Sequence, residues 1–333
     1  MSQMPETKIE WTAAPDGSPG STFNPWTGCQ KVSPACDNCY AESWAKRSGL
    51  VKWGPGEERH RTSASYWQQP LKWDRQAKRD GVRRKVFCAS LADVFDNQVP
   101  VEWRNDLWRL IHETPTLDWL LLTKRPQNIA KMLPGMHNGT LGWGVGWPNV
   151  WLGTTVEDQA EANRRIPHLL AVPAAKRFLS CEPLLGPIDF RKVPGFNHIG
   201  LDLSAWWVIC GGESGPNARP MHPAWARSLR DQCVAAGVPF FFKQWGEHLI
   251  AEKRPHRSPE FQEFFLSYQD GHEEHGWSDH DDIVFDVAET HRGEPKKIYE
   301  KHWASGDGFL TRRVGKKAAG ALLDGREWRQ FPT

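Results

Sequence analysis

The chain has 333 residues, of which 39% are hydrophobic, and this is enough apolar sequence for one large domain or two ordinary ones. Its 42 Lys and Arg residues nearly balance its 40 Asp and Glu residues, so a net charge of +2 excludes a strong overall field toward nucleic acid or membranes. The sequence shows neither a signal peptide nor an apolar run of about 20 residues, which predicts a cytoplasmic protein without a membrane partner.

Three cysteines are closely spaced near the start of the chain. The segment GCQKVSPACDNCYAE places Cys29, Cys36 and Cys39 in the pattern CxxxxxxCxxC, on a loop that leads into the helical pattern AESWAKRSG. A structural zinc site needs four protein ligands, and His60 would have to fold back to supply the fourth. An iron–sulfur cluster held by three thiolates instead leaves one iron open to a small molecule. The remaining cysteines lie in or beside apolar runs and are expected to be buried and unpaired: Cys88, Cys181, Cys210 and Cys233.

From residue 86 onward, short apolar runs alternate with helical segments. The runs are KVFCASLADVF, LDWLLLTKRPQ, NVWLGTTVED, KRFLSCEPLLG, WWVICGGESG and VPFFFKQWG. Their continuous hydrophobicity is typical of parallel strands buried on both faces, so the sequence predicts an α/β fold with a full or partial parallel (β/α) barrel. An open doubly wound sheet is the alternative. The 19 tryptophans are interpreted mainly as core and cleft-wall residues.

The sequence suggests three regions. Residues 1–249 are predicted to hold the cysteine loop and the barrel core. Residues 250–303 form a polar insertion rich in His and acidic residues, whose segment GHEEHGWSDHDD offers adventitious metal binding. Residues 304–333 form a basic segment that packs on the core, and its Lys and Arg residues are either a solvated face or a grip on phosphate.

Several of these motifs resemble a known family. The segment NPWTGCQKVSPACDNCYAE, with the runs LLTKRPQN, WLGTTVEDQ, FLSCEPLLGPI, CGGESGPNARP and FFFKQWG, resembles the phage-associated three-cysteine-motif proteins related to the radical S-adenosylmethionine (SAM) superfamily. The resemblance implies a barrel of the radical SAM type and a 4Fe-4S cluster on Cys29, Cys36 and Cys39. It further implies that SAM, bound at the open iron, is cleaved to a 5′-deoxyadenosyl radical that abstracts hydrogen from a substrate.

The sequence departs from the superfamily pattern at two points. Six residues separate Cys29 and Cys36, where the commonest spacing is CxxxCxxC. Asn38 stands immediately before Cys39, where the superfamily usually has an aromatic residue. Tyr40 follows Cys39 and is expected to pack on the adenine instead.

The resemblance also suggests SAM contacts at the strand ends. Lys124 resembles the strand-end lysine that contacts the SAM carboxylate in spore photoproduct lyase, a radical SAM enzyme of DNA repair. Ser90 and Asp93 resemble the SxxD-like segment of the same lyase, although Asp93 is equally well explained as a helix cap. Thr155 and Glu157 are expected near the ribose hydroxyls, with capping as the competing explanation.

Four further polar residues are predicted to face the substrate, because each follows an apolar run: Glu182, Glu213, Lys243 and Gln244. The two carboxylates need partners if buried, and Arg125, Arg177, Arg219 and Lys243 are the candidates.

The sequence therefore predicts a radical SAM enzyme that acts on a nucleic-acid base or nucleotide, in phage DNA modification or repair. A reductant such as flavodoxin or ferredoxin is the expected partner, together with a DNA or nucleotide substrate. Two alternatives stay open: a zinc-stabilised nucleic-acid-binding protein, and an iron–sulfur protein that does not cleave SAM.

Overall fold

The computed structural model describes Thr7, residues 9–14, 17–135, 142–196, 205–250 and 310–332, and three two-residue strands between 252 and 297. Numbered in chain order, the strands are β1 (Ser21–Phe23), β2 (Trp26–Thr27), β3 (His60–Arg61), β4 (Arg84–Cys88), β5 (Leu117–Thr123), β6 (Val150–Thr155), β7 (Lys176–Cys181), β8 (Trp206–Gly211), β9 (Phe240–Gln244), β10 (His248–Ile250), β11 (Glu252–Lys253), β12 (Ile283–Val284), β13 (Lys296–Lys297) and β14 (Leu310–Arg313). The helices are α1 (Tyr40–Ser48), α2 (Ala64–Trp67), α3 (Gln69–Asp80), α4 (Val101–Glu113), α5 (Ile129–Met132), α6 (Gln159–Leu170), α7 (Pro223–Ala236) and α8 (Lys316–Ala319).

Seven parallel strands form the main sheet in the order β1, β4, β5, β6, β7, β8, β9. The order follows the chain without reversal, whereas a doubly wound sheet reverses direction at a switch point. The doubly wound alternative is therefore wrong, and the predicted partial (β/α) barrel is confirmed. All six predicted runs contain a strand. Among the seven strands of this main sheet, the short edge strand β1 is the one that the sequence pattern did not predict.

The two edges of the described sheet, β1 and β9, do not pair with each other, so the barrel is open. The C-terminal chain lies beside β9 instead. The amide of Phe242 donates to the carbonyl of Trp328 (2.8 Å), and the amide of Gln330 donates to the carbonyl of Phe240 (3.2 Å). These bonds cover backbone groups that an edge strand would otherwise leave exposed.

The sheet is apolar on both faces, as the continuous runs predict. One face packs against the helices in the larger core cluster. The opposite face carries a second cluster, in which Trp11 from the N-terminal segment packs on Phe87 with ring centroids 4.8 Å apart, and Phe331 from the C-terminal segment packs alongside. Terminal segments thus fill the inner face of the open barrel.

Helix ends follow local sequence signals. The Asp158 side chain accepts from the amide of Glu161 (2.9 Å) and caps α6. Helices α1 and α7 end at Gly49 and Gly237, both at φ 67°, a left-handed conformation that glycine adopts without steric cost.

All seven cysteines are free thiols, and the four predicted to be buried are buried: Cys88, Cys181, Cys210 and Cys233. Apart from its short strands, the predicted insertion at 250–303 lies outside the described residues, including the GHEEHGWSDHDD segment. Within the described part of the chain, none of the helices has the length and apolar character needed to cross a membrane.

Candidate functional site at the carboxyl ends of the strands

A cavity of about 510 Å³ opens where the parallel strands end. Twelve of the thirteen residues that the sequence singled out line it: Cys29, Cys36, Cys39, Tyr40, Ser90, Asp93, Lys124, Thr155, Glu182, Glu213, Lys243 and Gln244. The thirteenth, Glu157, lies fully buried behind this lining. The aromatic cluster of the inner sheet face closes the base of the cavity through Trp11 and Phe87.

The three predicted ligand cysteines lie on the loop between β2 and α1. Only a single turn of 3₁₀ helix, Pro34–Cys36, gives this loop regular structure. Cys29, Cys36 and Cys39 all line the cavity, and the described part of its lining contains no other cysteine and no histidine. In the described residues, no group of three or more His, Cys, Asp or Glu side chains is arranged as a metal site, so the three sulfurs are not gathered at one point. The donor set is nevertheless the one that a three-thiolate cluster needs.

His60, the fourth zinc ligand considered from the sequence, pairs through β3 with Thr27 of β2. Its side chain is exposed and does not line the cavity.

Cys29 is in contact with a buried cation. Nη1 of Arg125 lies 3.4 Å from Cys29 Sγ and donates to it. Burial raises the pKa of the Cys29 thiol to about 11, and the charge and hydrogen bond of Arg125 oppose this rise. The guanidinium thus favours the thiolate form that metal binding requires.

Two hydroxyl groups and one cation in the lining have no partner among the described residues. Oγ1 of Thr155 is buried and makes no hydrogen bond to this part of the chain. Ser180, its neighbour in the β6–β7 register, makes no side-chain hydrogen bond within the described residues. The Lys124 ammonium, directly after β5, likewise forms no ion pair there. A polar ligand would satisfy all three groups, because buried polar groups are normally hydrogen-bonded.

Tyr40 and Ser90 belong to one hydrogen-bonded edge of the cavity. The Tyr40 hydroxyl donates to the carbonyl oxygen of Ser90 (2.6 Å), and Ser90 Oγ is 3.2 Å from the Asn24 side-chain amide. The Tyr40 side chain remains exposed, so one ring face is available to a ligand.

Glu182 and Lys243 form an ion pair inside the cavity, with 2.9 Å between Oε1 and Nζ. Gly211 makes room for it, since a Cβ there would lie 2.6 Å from Glu182 Oε1. Glu182 directly follows β7 and Lys243 lies near the end of β9, so the pair reaches across the end of β8, which separates these two strands. This pair confirms the partner that the sequence offered for Glu182.

The other three candidate carboxylates pair with arginines: Asp93 with Arg125, Glu157 with Arg165, and Glu213 with Arg219. Burial alone would raise the pKa of Glu213, but hydrogen bonds from Arg219 and Asn38 and the charge of Arg219 hold it below its usual value. Arg177, another partner considered from the sequence, donates to backbone carbonyls instead.

Gln244 is buried and supports the loop after β8. Its Nε2 donates to the Gly212 carbonyl (3.0 Å), and its Oε1 accepts from the Gly246 amide. The next residue, Trp245, is buried, and its indole donates to the Leu322 carbonyl (2.8 Å), so it packs in the core and not in the cavity lining.

Sequence reasoning missed Arg165, Ser180 and Lys316 as parts of this region. Ser180 had a detectable signal, because it ends the same kind of apolar run as Thr155. Arg165 lies mid-helix on α6, and Lys316 comes from a segment 72 residues beyond Gln244, so no local pattern connects either to the cavity.

The fold and the cavity together define a partial (β/α) barrel with a three-thiol ligand cavity at its strand ends. The chain belongs to the DUF5131 family of proteins of unknown function, whose model matches residues 6–332. No curated protein shows significant sequence similarity to it.

Solved structures of spore photoproduct lyase are similar in fold. A double mutant with bound AdoMet and dinucleoside spore photoproduct has 12% identity and a TM-score of 0.39, over 79% of this chain and 76% of that one. A further structure of that lyase, complexed with dinucleoside spore photoproduct, has 11% identity and a TM-score of 0.36, over 80% of this chain and 76% of that one.

Proposed function

We propose that the protein is a radical SAM enzyme in which Cys29, Cys36 and Cys39 hold a 4Fe-4S cluster. One observation carries the proposal: three free thiols share a strand-end cavity with a cation and two hydroxyls that have no partner in the described protein. Three thiols without a fourth Cys or His in the lining match a cluster that keeps one iron open. When bound, the cluster would supply the electron for reductive cleavage of SAM.

The unsatisfied groups match the polar parts of SAM. In this proposal Lys124 binds the carboxylate of the methionyl group. The hydroxyls of Thr155 and Ser180 form hydrogen bonds with the ribose hydroxyl groups. Tyr40 stacks on the adenine, with its ring held by the bond to the Ser90 carbonyl. Each of these residues binds or orients the ligand and needs no rearranged ion pair to do so.

Glu182 and Lys243 are the groups that meet the substrate. Their ion pair lies in the cavity with both side chains largely desolvated, 13% and 22% exposed. Such a pair can hold a proton near the reacting centre and exclude water from it. Gln244 and Glu213 are engaged with the surrounding loops, so we assign them to shaping the cavity.

The proposed substrate is a nucleic-acid base or nucleotide. Lys316 lines the cavity, and neither its ammonium nor that of Lys317 forms an ion pair within the described residues. By contrast Arg313 and Arg329 are engaged with Glu247 and Glu10. An ammonium in the lining without an ion pair in the described part of the chain, followed in sequence by a second one, favours a phosphate-bearing ligand. A base in a duplex would have to be extruded to reach the cavity.

We further propose that this chemistry serves phage DNA modification or repair in the cytoplasm, with flavodoxin or ferredoxin as the reductant. These assignments belong to the proposal.

The test is anaerobic reconstitution with iron and sulfide, followed by the 400 nm absorbance and then 5′-deoxyadenosine formation with dithionite and SAM. The proposal expects a brown protein and deoxyadenosine, both lost in Cys36→Ala. A colourless protein with stoichiometric zinc would favour the zinc-binding alternative. A cluster without deoxyadenosine would favour an iron–sulfur protein that does not cleave SAM.

A further inference from the structure

Three arginine–carboxylate pairs touch the cysteine loop at different points. Each carboxylate follows a different strand of the sheet: Asp93 comes after β4, Glu157 after β6 and Glu213 after β8. In each pair at least one member, the arginine or the carboxylate, also bonds to the backbone or a side chain of residues 29–38.

The first pair holds the start of the loop. Nη1 of Arg125 lies 2.9 Å from Asp93 Oδ2, and its Nη2 donates to the Gln30 carbonyl (3.1 Å). Asp93 is itself fixed, because it accepts from the Thr123 hydroxyl (2.7 Å) and from the amide of Lys124 (3.1 Å). The cation is therefore pre-positioned between two strand ends and the loop.

The second pair holds the middle of the loop from below. Nη1 of Arg165 lies 2.7 Å from Glu157 Oε2, and both side chains are fully buried. The other oxygen of Glu157 accepts from the amide of Ala35 (3.2 Å), the residue before Cys36. Because Arg165 holds one oxygen of this buried carboxylate, the other oxygen is a fixed acceptor for the Ala35 amide.

The third pair holds the last part of the loop. Arg219 binds both oxygens of Glu213, at 2.7 and 2.9 Å, and its Nη2 also donates to the Pro34 carbonyl (2.8 Å). The Asn38 side chain donates to Glu213 Oε2 (2.9 Å). Pro34 and Asn38 flank Cys36, so this pair bridges the two sides of that cysteine.

We infer that Asp93, Glu157 and Glu213, with Arg125, Arg165 and Arg219, are positioning residues that hold the three-cysteine loop over the cavity. The loop has one turn of 3₁₀ helix and eight other residues from Cys29 to Cys39 without regular structure, so its own hydrogen bonds do not fix it. The pairs replace that missing structure with charged hydrogen bonds, bidentate at Arg219 and Glu213, that tie the loop to residues at the strand ends. A loop that is ordered in advance loses less conformational entropy when its thiols bind a ligand.

The test measures the alkylation rate of each cysteine by peptide mass spectrometry in the metal-free protein. Arg219→Ala is the first variant, because this side chain is 35% exposed and its loss leaves the core intact. We expect Cys36 and Cys39 to react about fivefold faster or more, as one lost set of charged hydrogen bonds allows. Arg219→Lys keeps the charge without the fork and should give intermediate rates.

The chain contains its own control for unfolding. The four cysteines outside the loop are at most 2% exposed and should remain unreactive in every variant: Cys88, Cys181, Cys210 and Cys233. Arg191→Ala breaks an exposed pair with Asp189 away from the cavity and should match the wild type. Unchanged rates at Cys36 and Cys39 in Arg219→Ala would overturn the inference. Equal acceleration of all seven cysteines would also overturn it, because the role would then be global.

A second variant, Glu213→Gln, removes the charge and keeps an acceptor, so its rates should lie between those of wild type and Arg219→Ala. Iron bound per chain after reconstitution should fall in the same order. This iron readout rests on the proposed function, whereas the alkylation readout does not. Wild-type protein that binds no iron would therefore defeat the proposed function and leave the positioning inference to its own test.

Discussion

Arg125 donates to the sulfur of Cys29 at 3.4 Å while it is paired with Asp93 at 2.9 Å. Arg125 follows β5 and Cys29 lies on the cysteine loop, so this contact joins the sheet directly to one of the proposed cluster ligands. A hydrogen bond and a positive charge at a ligand sulfur stabilise the reduced cluster, which carries more negative charge. In the proposed enzyme, Arg125 would therefore have an electronic role beside the positioning role inferred above.

Arg125→Met is expected to lower the reduction potential of the reconstituted cluster. The shift should be on the order of tens of millivolts, a small part of the roughly 1.1 V that cluster type, charge and hydrogen bonding span. A redox titration followed by electron paramagnetic resonance measures it. Arg59→Met, which removes a buried arginine paired with Asp96 without a bond to a cysteine sulfur, is the control. Equal potentials in wild type and Arg125→Met would contradict the electronic role.

Gly153→Ala tests the packing of the sheet face under the cavity. A Cβ at Gly153, in the middle of β6, would lie 2.4 Å from the ring of Phe178, which is fully buried. The ring has no free space to enter, so the free energy of unfolding should fall by about 1–3 kcal/mol. Urea unfolding measures this, and Val101→Ala, on an exposed side chain, should change it by less than about 0.5 kcal/mol. A variant as stable as the wild type would show that the inner face tolerates overpacking.

The sequence predicted the sheet well because its signal is local. Runs such as LDWLLLT and WWVICG contain the strand and its burial in consecutive letters, and the structure buries every residue of β8. The edge strand β1 has only three residues, STF, and its pairing with β4 depends on residues more than 60 positions away. No period or run marks such a strand.

The candidate site was predicted as a set of strand-end side chains, but not as a set of partners. Residues that face one cavity follow from parallel topology, and this is why Glu182 and Glu213 were identified. Which carboxylate meets which arginine depends on the path of the cysteine loop across the sheet. Glu157 illustrates the limit: Arg165 lies eight residues later on α6, and the amide of Ala35 lies 122 residues earlier.

Lys85 predicts a pH dependence of stability. Its ammonium is buried against the Ala13 carbonyl (2.6 Å) and the Phe331 ring, and desolvation lowers its pKa to about 8. Asp118 opposes this shift and Lys176 adds to it. Between pH 8 and the ordinary lysine pKa of about 10.4, the unfolded chain binds more protons than the folded one, so this contribution to stability rises with pH.

Lys85→Met should therefore flatten the dependence of the free energy of unfolding on pH above 8. Urea unfolding at several pH values between 7.5 and 10 gives the two slopes. Lys78→Ala, an exposed lysine on α3, should keep the wild-type slope. Parallel curves for wild type and Lys85→Met would refute this linkage.

The double substitution of Lys316 and Lys317 by alanine tests the phosphate contact. Single-stranded oligonucleotide binding should weaken, and the slope of log K against log salt should become shallower by about 1.4, for two charges at roughly 0.7 each. Fluorescence anisotropy over a salt series measures the slope. A double alanine variant of Lys78 and Arg79, exposed on α3, is the matched control. An unchanged slope would remove these cations from the proposed nucleic-acid contact.

Thr155→Val separates ligand binding from folding. The Thr155 hydroxyl is buried at the cavity without a partner, so its replacement by a methyl group of similar size removes an unsatisfied polar atom. Without ligand, the free energy of unfolding of the variant should therefore equal that of the wild type or exceed it by up to about 1 kcal/mol. If the hydroxyl binds SAM, affinity for SAM should fall about fivefold or more, the loss of one hydrogen bond of about 1 kcal/mol. Urea unfolding and isothermal titration calorimetry measure the two effects.

Thr154→Val is the neighbouring control for Thr155→Val. Thr154 donates to the Thr123 carbonyl (2.9 Å) and does not line the cavity, so this variant should lose stability and keep its affinity for SAM. Unaltered SAM affinity in Thr155→Val would place the ligand elsewhere in the cavity.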